Sequence, residues 1–293
     1  MINRVTHQTV QRSTLGNLQQ NLSKMADLQA KMSSGKNINV PSDDPAGASD
    51  MLRLRGEQRA QTQFARNADD GNGWLTTVDS ALTSSLTSMR RARDLVVQGG
   101  NGGLGATSRE ALAAEVDGLR AALLEQANTS YLGRSVFAGT SDAGVAFTDT
   151  YVFTGTPGSG VERRVAENTS VRVDADGAAV YGEGASSVFA LLETVSATLR
   201  SGGDVTSHLA AMDSRFESML TQVSGVGARQ NRVQDAQSTL LETQQSTKAQ
   251  LSAIEDVDLA GIILELQMQE VAYQGALGAA GKVLQPTLME FLR

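Results

Sequence analysis

The fold is decided by residues 209–254, which read LAAMDSRFESMLTQVSGVGARQNRVQDAQSTLLETQQSTKAQLSAI. Along this stretch apolar and small polar residues recur at steps of three and four, the heptad spacing of a helix that packs along one seam. The seam consists of Leu209, Met212, Phe216, Met219, Val223, Val226, Gln230, Val233, Gln237, Leu240, Gln244, Thr247, Leu251 and Ile254. At 1.5 Å per residue, such a helix would extend roughly 70 Å.

The seam keeps its phase further on, although the acidic run at 255–258 favours the start of a new helix. It continues through Val257, Gly261, Leu264, Met268, Val271, Gly275 and Gly278. The terminal helix also carries a second apolar stripe, formed by Leu259, Ile263, Leu266, Glu270, Tyr273, Leu277, Ala280 and Leu284. A helix with two apolar stripes must be covered on two sides.

The first thirty residues carry a shorter seam of the same kind, formed by Leu15, Leu18, Leu22, Met25, Gln29 and Met32. The N-terminal helix can cover one stripe of the terminal helix, so we predict that another molecule covers the other. Both ends of the chain thus indicate assembly rather than chemistry. The predicted assembly interface comprises Leu15, Leu18, Leu22, Met25, Met32, Leu259, Ile263, Leu266, Tyr273, Leu277, Leu284 and Leu288.

Further helices are predicted between the two ends. The first covers residues 4–34. A second is predicted over residues 46–98, where Asp44 can act as the N-cap and Pro45 can occupy the first turn. The second helix has a seam at Leu75, Val78, Leu82, Ser85, Met89, Ala92 and Val96. A glycine-rich break follows, and Thr107-Ser108-Arg109-Glu110 resembles a capping box for a third helix that ends near Asn128.

The sequence changes character between residues 140 and 185, where Gly, Thr, Val and Asp are abundant. Short runs at 151–153, 171–173 and 180–181 predict strands separated by turns. The fold class is therefore mainly α: an elongated rod of long antiparallel helices, with a coiled coil formed by both termini and a small β-rich insert. We predict a terminal coiled-coil domain (1–40 and 255–293), a helical rod domain (41–139 and 186–254) and an outward-facing insert domain (140–185).

Composition narrows the function further. The net charge is −7, so nucleic acid is not expected as a partner. Aromatic residues make up only 4% of the chain, which suits long helices packed by aliphatic side chains. There is no cysteine, and no stretch approaches the 18 apolar residues of a membrane span, so we expect no membrane insertion. The first twenty residues lack the apolar core of a cleaved secretory signal.

Two motifs could carry chemistry, and each has a structural alternative. Gly100-Asn101-Gly102-Gly103-Leu104-Gly105 matches G-x-G-x-x-G, but it follows a helical pattern rather than a strand, so we expect a loop between helices. Asp174-Ala175-Asp176-Gly177 resembles the start of a calcium loop, but position twelve is Ala185, so we expect a hairpin turn. We predict no catalytic residue, no cofactor and no metal, and hence no enzyme.

Several segments resemble the flagellin superfamily. Residues 32–38 (MSSGKNI) and 41–47 (PSDDPAG) are similar to the superfamily's N-terminal signature, in a long and ungapped match. Residues 227–232 (GARQNR) resemble the start of its returning helix, and the terminal helix also resembles that of the superfamily. Within the superfamily, residues 187–192 (SVFALL) and 286–292 (PTLMEFL) are most similar to the hook-associated protein 3 branch. A filament flagellin is the near alternative, and a dinucleotide-binding enzyme built on the glycine loop is a distant one.

The resemblance implies a structural subunit of the bacterial flagellum that joins hook to filament. The implied partners are other copies of the chain, the first hook-associated protein, flagellin and an export chaperone on the C-terminal segment. It also implies passage through the flagellar export channel without a cleaved signal peptide.

Overall fold

A computed structural model describes residues 7–156 and 158–284. Within them lie seven α-helices: α1 (His7–Ser34), α2 (Pro45–Gly99), α3 (Ala106–Ala127), α4 (Gly177–Tyr181), α5 (Val188–Ser201), α6 (Leu209–Glu255) and α7 (Leu259–Leu284). Four short strands are β1 (Ser130–Tyr131), β2 (Arg134–Ser135), β3 (Glu162–Ala166) and β4 (Thr169–Arg172). They form two antiparallel hairpins, β1–β2 and β3–β4. The prediction of a mainly helical chain with little β structure is confirmed.

Contacts divide the described residues into two units. The terminal unit takes its residues from Met1–Arg59 and Gln244–Arg293, and the central unit is Ala60–Thr243. Helices α2 and α6 contribute residues to both units. The predicted domain limits at residues 40 and 255 remain a prediction.

In the central unit, α2 and α6 pack along heptad seams as predicted. On α6 every seventh residue is buried: Met212, Met219, Val226, Val233 and Leu240. On α2 the same spacing buries Ala68, Leu75, Leu82, Met89 and Val96. The two helices run antiparallel, since Arg93 bonds Asp213 at 2.7 Å while Gln237 bonds Asp69 at 2.8 Å.

Helices α3 and α5 pack against each other in the same unit and are joined by ion pairs. Arg200 on α5 contacts Glu110 at 3.1 Å and Asp117 at 2.8 Å on α3. Ser187 begins α5 as its N-cap and accepts a hydrogen bond from the Ala190 amide. The left-handed Gly202 ends it, as expected for a helix C-terminus.

The insert differs from its prediction. Tyr151-Val152-Phe153 contributes only an isolated bridge between Phe147 and Phe153, and Val180-Tyr181 lies in α4. Asp174 and Asp176 do not form a hairpin turn, because the Asp176 carboxylate instead caps α4 by accepting from the Ala178 and Ala179 amides. Single-sequence patterns of Val, Tyr and Thr cannot distinguish a strand from a short buried helix.

The core of residues 140–185 is continuous with that of the helices. Phe147 packs against Phe153, Tyr181 and Phe189, with ring centroids 5.3–5.8 Å apart. The Tyr181 and Ser85 hydroxyls form a hydrogen bond of 2.8 Å that ties α4 to α2. This segment therefore shares one hydrophobic core with the helices of the central unit, and its outward-facing position as an insert domain remains a prediction.

The start of α3 is a second correction. Gly105 occupies the N-cap position and no side chain caps this end, so Thr107 and Glu110 do not form the predicted capping box. The helix begins two residues earlier than a cap at Thr107 would place it, and both residues lie inside its first turns.

Candidate assembly surfaces

Helices α1 and α7 of the terminal unit pack on each other, and each presents one face to the other. The buried and half-buried residues of α7 have heptad spacing: Ile262, Leu266, Gln269, Tyr273, Ala276 and Ala280. Those of α1 are Thr14, Leu18, Asn21, Met25, Leu28 and Lys31. The Gln269 amide donates to the Asn21 side chain at 3.2 Å, so a polar contact lies between the two faces. We call these two sets the paired faces.

The structure places four predicted interface residues, Leu18, Met25, Leu266 and Tyr273, on the paired faces. It leaves six others exposed: Leu15, Leu22, Met32, Leu259, Ile263 and Leu277. The side chain of Leu284 and the whole of Leu288 lie outside the described residues. Whether these residues contact other molecules remains a prediction.

Sequence analysis missed part of the paired face on α7. Ile262, Gln269 and Ala276 complete, with Leu266, Tyr273 and Ala280, a heptad pattern that is visible in the sequence. A Gln and two Ala residues make it less apolar than the neighbouring stripes, so ranking by hydrophobicity selects those instead.

The seam predicted to continue from α6 does not lie against α1. Its residues Leu264, Met268 and Val271 are 61%, 66% and 69% exposed, and we call them the exposed stripe. Helix α7 begins anew at Leu259 after the break at 255–258, and a different set of its residues lies against α1. Soluble proteins seldom expose a contiguous apolar patch of this kind without a partner for it.

The inner ends of α1 and α7 are joined by a compact set of bonds that we call the clasp. The Asn37 amide donates to the Glu255 carbonyl at 2.7 Å, and the Val257 amide donates to the Gly35 carbonyl at 3.2 Å. The Glu255 side chain is 7% exposed and contacts both Lys36 and Arg55, the latter at 2.7 Å. A buried carboxylate of this kind requires cationic partners, and here it has two.

The loop from α1 to α2 is shaped by two aspartates. The Asp44 carboxylate accepts from the Ala46 and Gly47 amides at 3.1 and 3.0 Å, which confirms the predicted cap before Pro45. Asp43 accepts from the Asn39 and Val40 amides at 3.0 Å, and these backbone hydrogen bonds lower the pKa of its carboxyl group. A Cβ atom on Gly47 would lie 2.5 Å from Asp44 Oδ2, so a larger residue at this position would displace the capping carboxylate.

The loop before α2 and both sides of the clasp lie within regions that are similar to known proteins. The N-terminal helical region of bacterial flagellin matches residues 5–142, and the C-terminal helical region matches residues 209–288. The chain belongs to the flagellin family. Its clasp therefore joins residues from the N-terminal and the C-terminal family regions.

Relatives of two kinds are similar over most of the chain. Bacillus subtilis flagellin is 28% identical, covering 93% of this chain and 93% of the relative. Flagellar hook-associated protein 3 of Salmonella typhimurium is 26% identical, covering 88% and 92%, and that of Escherichia coli is 28% identical with the same coverage.

Solved structures of junction proteins share the fold. Bacillus cereus FlgL superposes with a TM-score of 0.61 at 21% identity, covering 68% of this chain and 99% of that one. The flagellar junction protein FlgL of Legionella pneumophila has a TM-score of 0.59 at 16% identity, covering 70% and 99%. At these identities the likeness establishes the fold alone.

In this flagellin-family chain the glycine-rich loop lies between two helices, α2 and α3. The dinucleotide fingerprint requires a preceding strand, which α2 is not. A Cβ atom on Gly99 would lie 2.5 Å from Leu199, and one on Gly100 would lie 2.4 Å from Thr206. Close packing therefore accounts for these two glycines.

In the calcium-like motif at 174–177, Asp174 is held by contacts with other residues of the protein. Asp174 is buried, and Arg172 donates to its carboxylate at 2.7 Å. Arg229, which lies within GARQNR, donates to the Asp174 carbonyl at 2.6 Å. Among residues 7–156 and 158–284, no three His, Asp or Glu side chains are grouped closely enough to hold a metal ion. None of the described helices combines the length and apolar character that crossing a membrane requires.

Proposed function

We propose that the chain is a structural subunit of the bacterial flagellum that joins the hook to the filament. The observation that carries the proposal is similarity over 88% of the chain to hook-associated protein 3 of two species. Membership of the flagellin family agrees with a role in assembly. The chain would contact the first hook-associated protein on one side and flagellin on the other, and it would do so without catalysis.

The exposed stripe on α7 and the exposed residues Leu15, Leu22 and Met32 on α1 are the proposed contact surfaces between subunits. Burial of apolar surface contributes roughly 25 cal/mol per Å², so each helix adds a modest amount. Repetition around a ring of copies multiplies that contribution. We further propose that an export chaperone shields α7 before assembly and that the chain leaves the cell through the flagellar export channel.

A filament flagellin is the second candidate, because Bacillus subtilis flagellin is as similar and covers 93% of the chain. The two roles differ in copy number and position. A junction subunit forms one short zone at the base of each filament, whereas a flagellin extends along its whole length.

Deletion of the gene tests both roles. If the chain joins hook to filament, cells should carry bare hooks under electron microscopy and shed a separate flagellin into the medium, and a plasmid copy should restore filaments. If the chain is the filament subunit, no flagellin should accumulate outside the cells. Normal attached filaments in the deletion strain would refute both roles.

A further inference from the structure

The contact between α1 and α7 does not by itself select the faces that meet. Among the α7 residues whose side chains are described, only Ile262 and Ala280 are buried, and none of those described on α1 is. A polar pair, Asn21 and Gln269, lies within the contact. Both helices carry further exposed apolar residues beside the paired face, Leu15 and Leu22 on α1 and Leu264, Met268 and Val271 on α7.

Apolar burial alone does not single out the observed arrangement. Rotating α7 to present Leu264, Met268 and Val271, or α1 to present Leu15 and Leu22, would also remove apolar surface from water. Heptad helices with several apolar faces are prone to change partner face or register unless a polar contact selects one. The observed faces therefore need a determinant other than their own hydrophobicity.

The clasp can supply that determinant. Its two backbone hydrogen bonds join residue 35 to 257 and residue 37 to 255, which sets an antiparallel register at the inner ends of both helices. The Asn21–Gln269 contact continues this antiparallel pairing. Asn21 lies 14 residues before Gly35 and Gln269 lies 12 residues after Val257, which is about 20 Å along each helix. Glu255 lies at the centre of the clasp with its carboxylate held by Lys36 and Arg55.

We propose that Glu255 is a positioning residue that selects which faces of α1 and α7 pair, and so keeps the exposed stripe turned outward. Without its charge, Lys36 and Arg55 lose their common counter-ion and repel each other, which weakens the backbone hydrogen bonds that set the register at the inner ends. This inference goes beyond the proposed function, because it concerns how one chain orders its own helices at the junction or in the filament alike.

Cross-linking tests the proposal directly, because the chain has no cysteine of its own. One full-length variant carries Asn21→Cys with Gln269→Cys on the paired faces, and a second carries Leu22→Cys with Met268→Cys on the exposed sides. In the dilute parent chain, mild oxidation should link the first pair within one molecule and leave the second largely unlinked. Adding Glu255→Gln should lower the ratio of first to second cross-link by about tenfold, since the clasp sets the effective concentration of the paired faces.

Two controls separate positioning from a general loss of structure. Glu242→Gln removes an exposed acid from α6 and should leave the ratio unchanged. The exchange of Lys36→Glu with Glu255→Lys keeps opposite charges in the clasp and should restore much of the ratio. The melting transition of the central unit, followed by circular dichroism, should be the same in all variants.

Three results would overturn the proposal. The first is absence of the Asn21–Gln269 cross-link in the parent chain. The second is an unchanged ratio in both Glu255→Gln and Glu255→Ala. The third is a ratio that stays low in the charge-exchanged chain, which would assign the effect to side-chain shape instead of charge.

Discussion

The central unit and the terminal unit use apolar residues in opposite ways. In the central unit, heptad seams and a cluster of aromatic rings bury their side chains in one continuous core. In the terminal unit, Leu264, Met268 and Val271 of α7 and Leu15 of α1 are more than half exposed. One region is complete within a single chain, while the other keeps apolar surface available. We therefore expect different residues to carry stability and assembly.

The largest loss of stability is expected from Phe147→Ala in the central unit. Phe147 is 1% exposed and packs against three other rings, so its removal should cost about 3–5 kcal/mol. Chemical denaturation of the purified chain measures the change. Phe64→Ala, at a half-buried position beside Arg164, is the matched control and should cost less. Equal costs would show that the aromatic cluster is not the core of this unit.

A gain in stability is expected from Leu132→Asn at the tip of the β1–β2 hairpin. Leu132 has φ +49° and is 80% exposed, so it occupies a left-handed conformation that disfavours leucine and gains little from packing. Asparagine tolerates this conformation, and the change should stabilise the chain by about 1 kcal/mol. The exposed helical Leu241→Asn should instead destabilise slightly, because asparagine is a poorer helix former. A lower melting temperature for Leu132→Asn would contradict the argument.

A smaller and local effect is expected from acid at the loop before α2. The pKa of Asp43 is lowered in the folded chain, so its contribution is present above the ordinary value of 3.8 and is lost as pH falls through the lowered value. The protection of the Asn39 and Val40 amides against hydrogen exchange, measured relative to the unstructured rate at each pH, should therefore fall in that acidic range. Asp43→Asn should remove this pH dependence, and a parent-like profile in that variant would count against it.

The smallest effect on stability is expected where the effect on function is greatest. Replacing Leu264, Met268 and Val271 together by serine should change the unfolding free energy of the central unit by no more than about 0.5 kcal/mol, because these side chains are exposed. Attachment of filaments to hooks should nevertheless be lost in a complemented deletion strain. Serine at Val97, Leu220 and Leu241, three exposed residues of the central unit, is the control and should leave attachment intact. Motile cells carrying the α7 triple variant would remove the distinction between the two regions.

Much of the helical framework could be predicted from local pattern. The heptad seams of α2 and α6, the cap at Asp44 and the breaks near Gly99, Gly202 and Glu255 all follow from residue spacing and turn chemistry. These features depend on neighbours within one or two helical turns. The insert could not be predicted in the same way, because α4 forms where Val180 and Tyr181 find burial against distant rings.

Helical periodicity is a local property, so residue spacing was enough to predict an amphipathic helix at each end of the chain and two apolar stripes on the C-terminal one. Which stripe of α7 meets α1 and which stays exposed could be seen only in the folded chain. That choice is made at the clasp, where Gly35 to Asn37 meet Glu255 to Val257, more than two hundred residues away along the chain. Periodicity describes the faces of a helix, but a contact between distant segments decides which of them is buried.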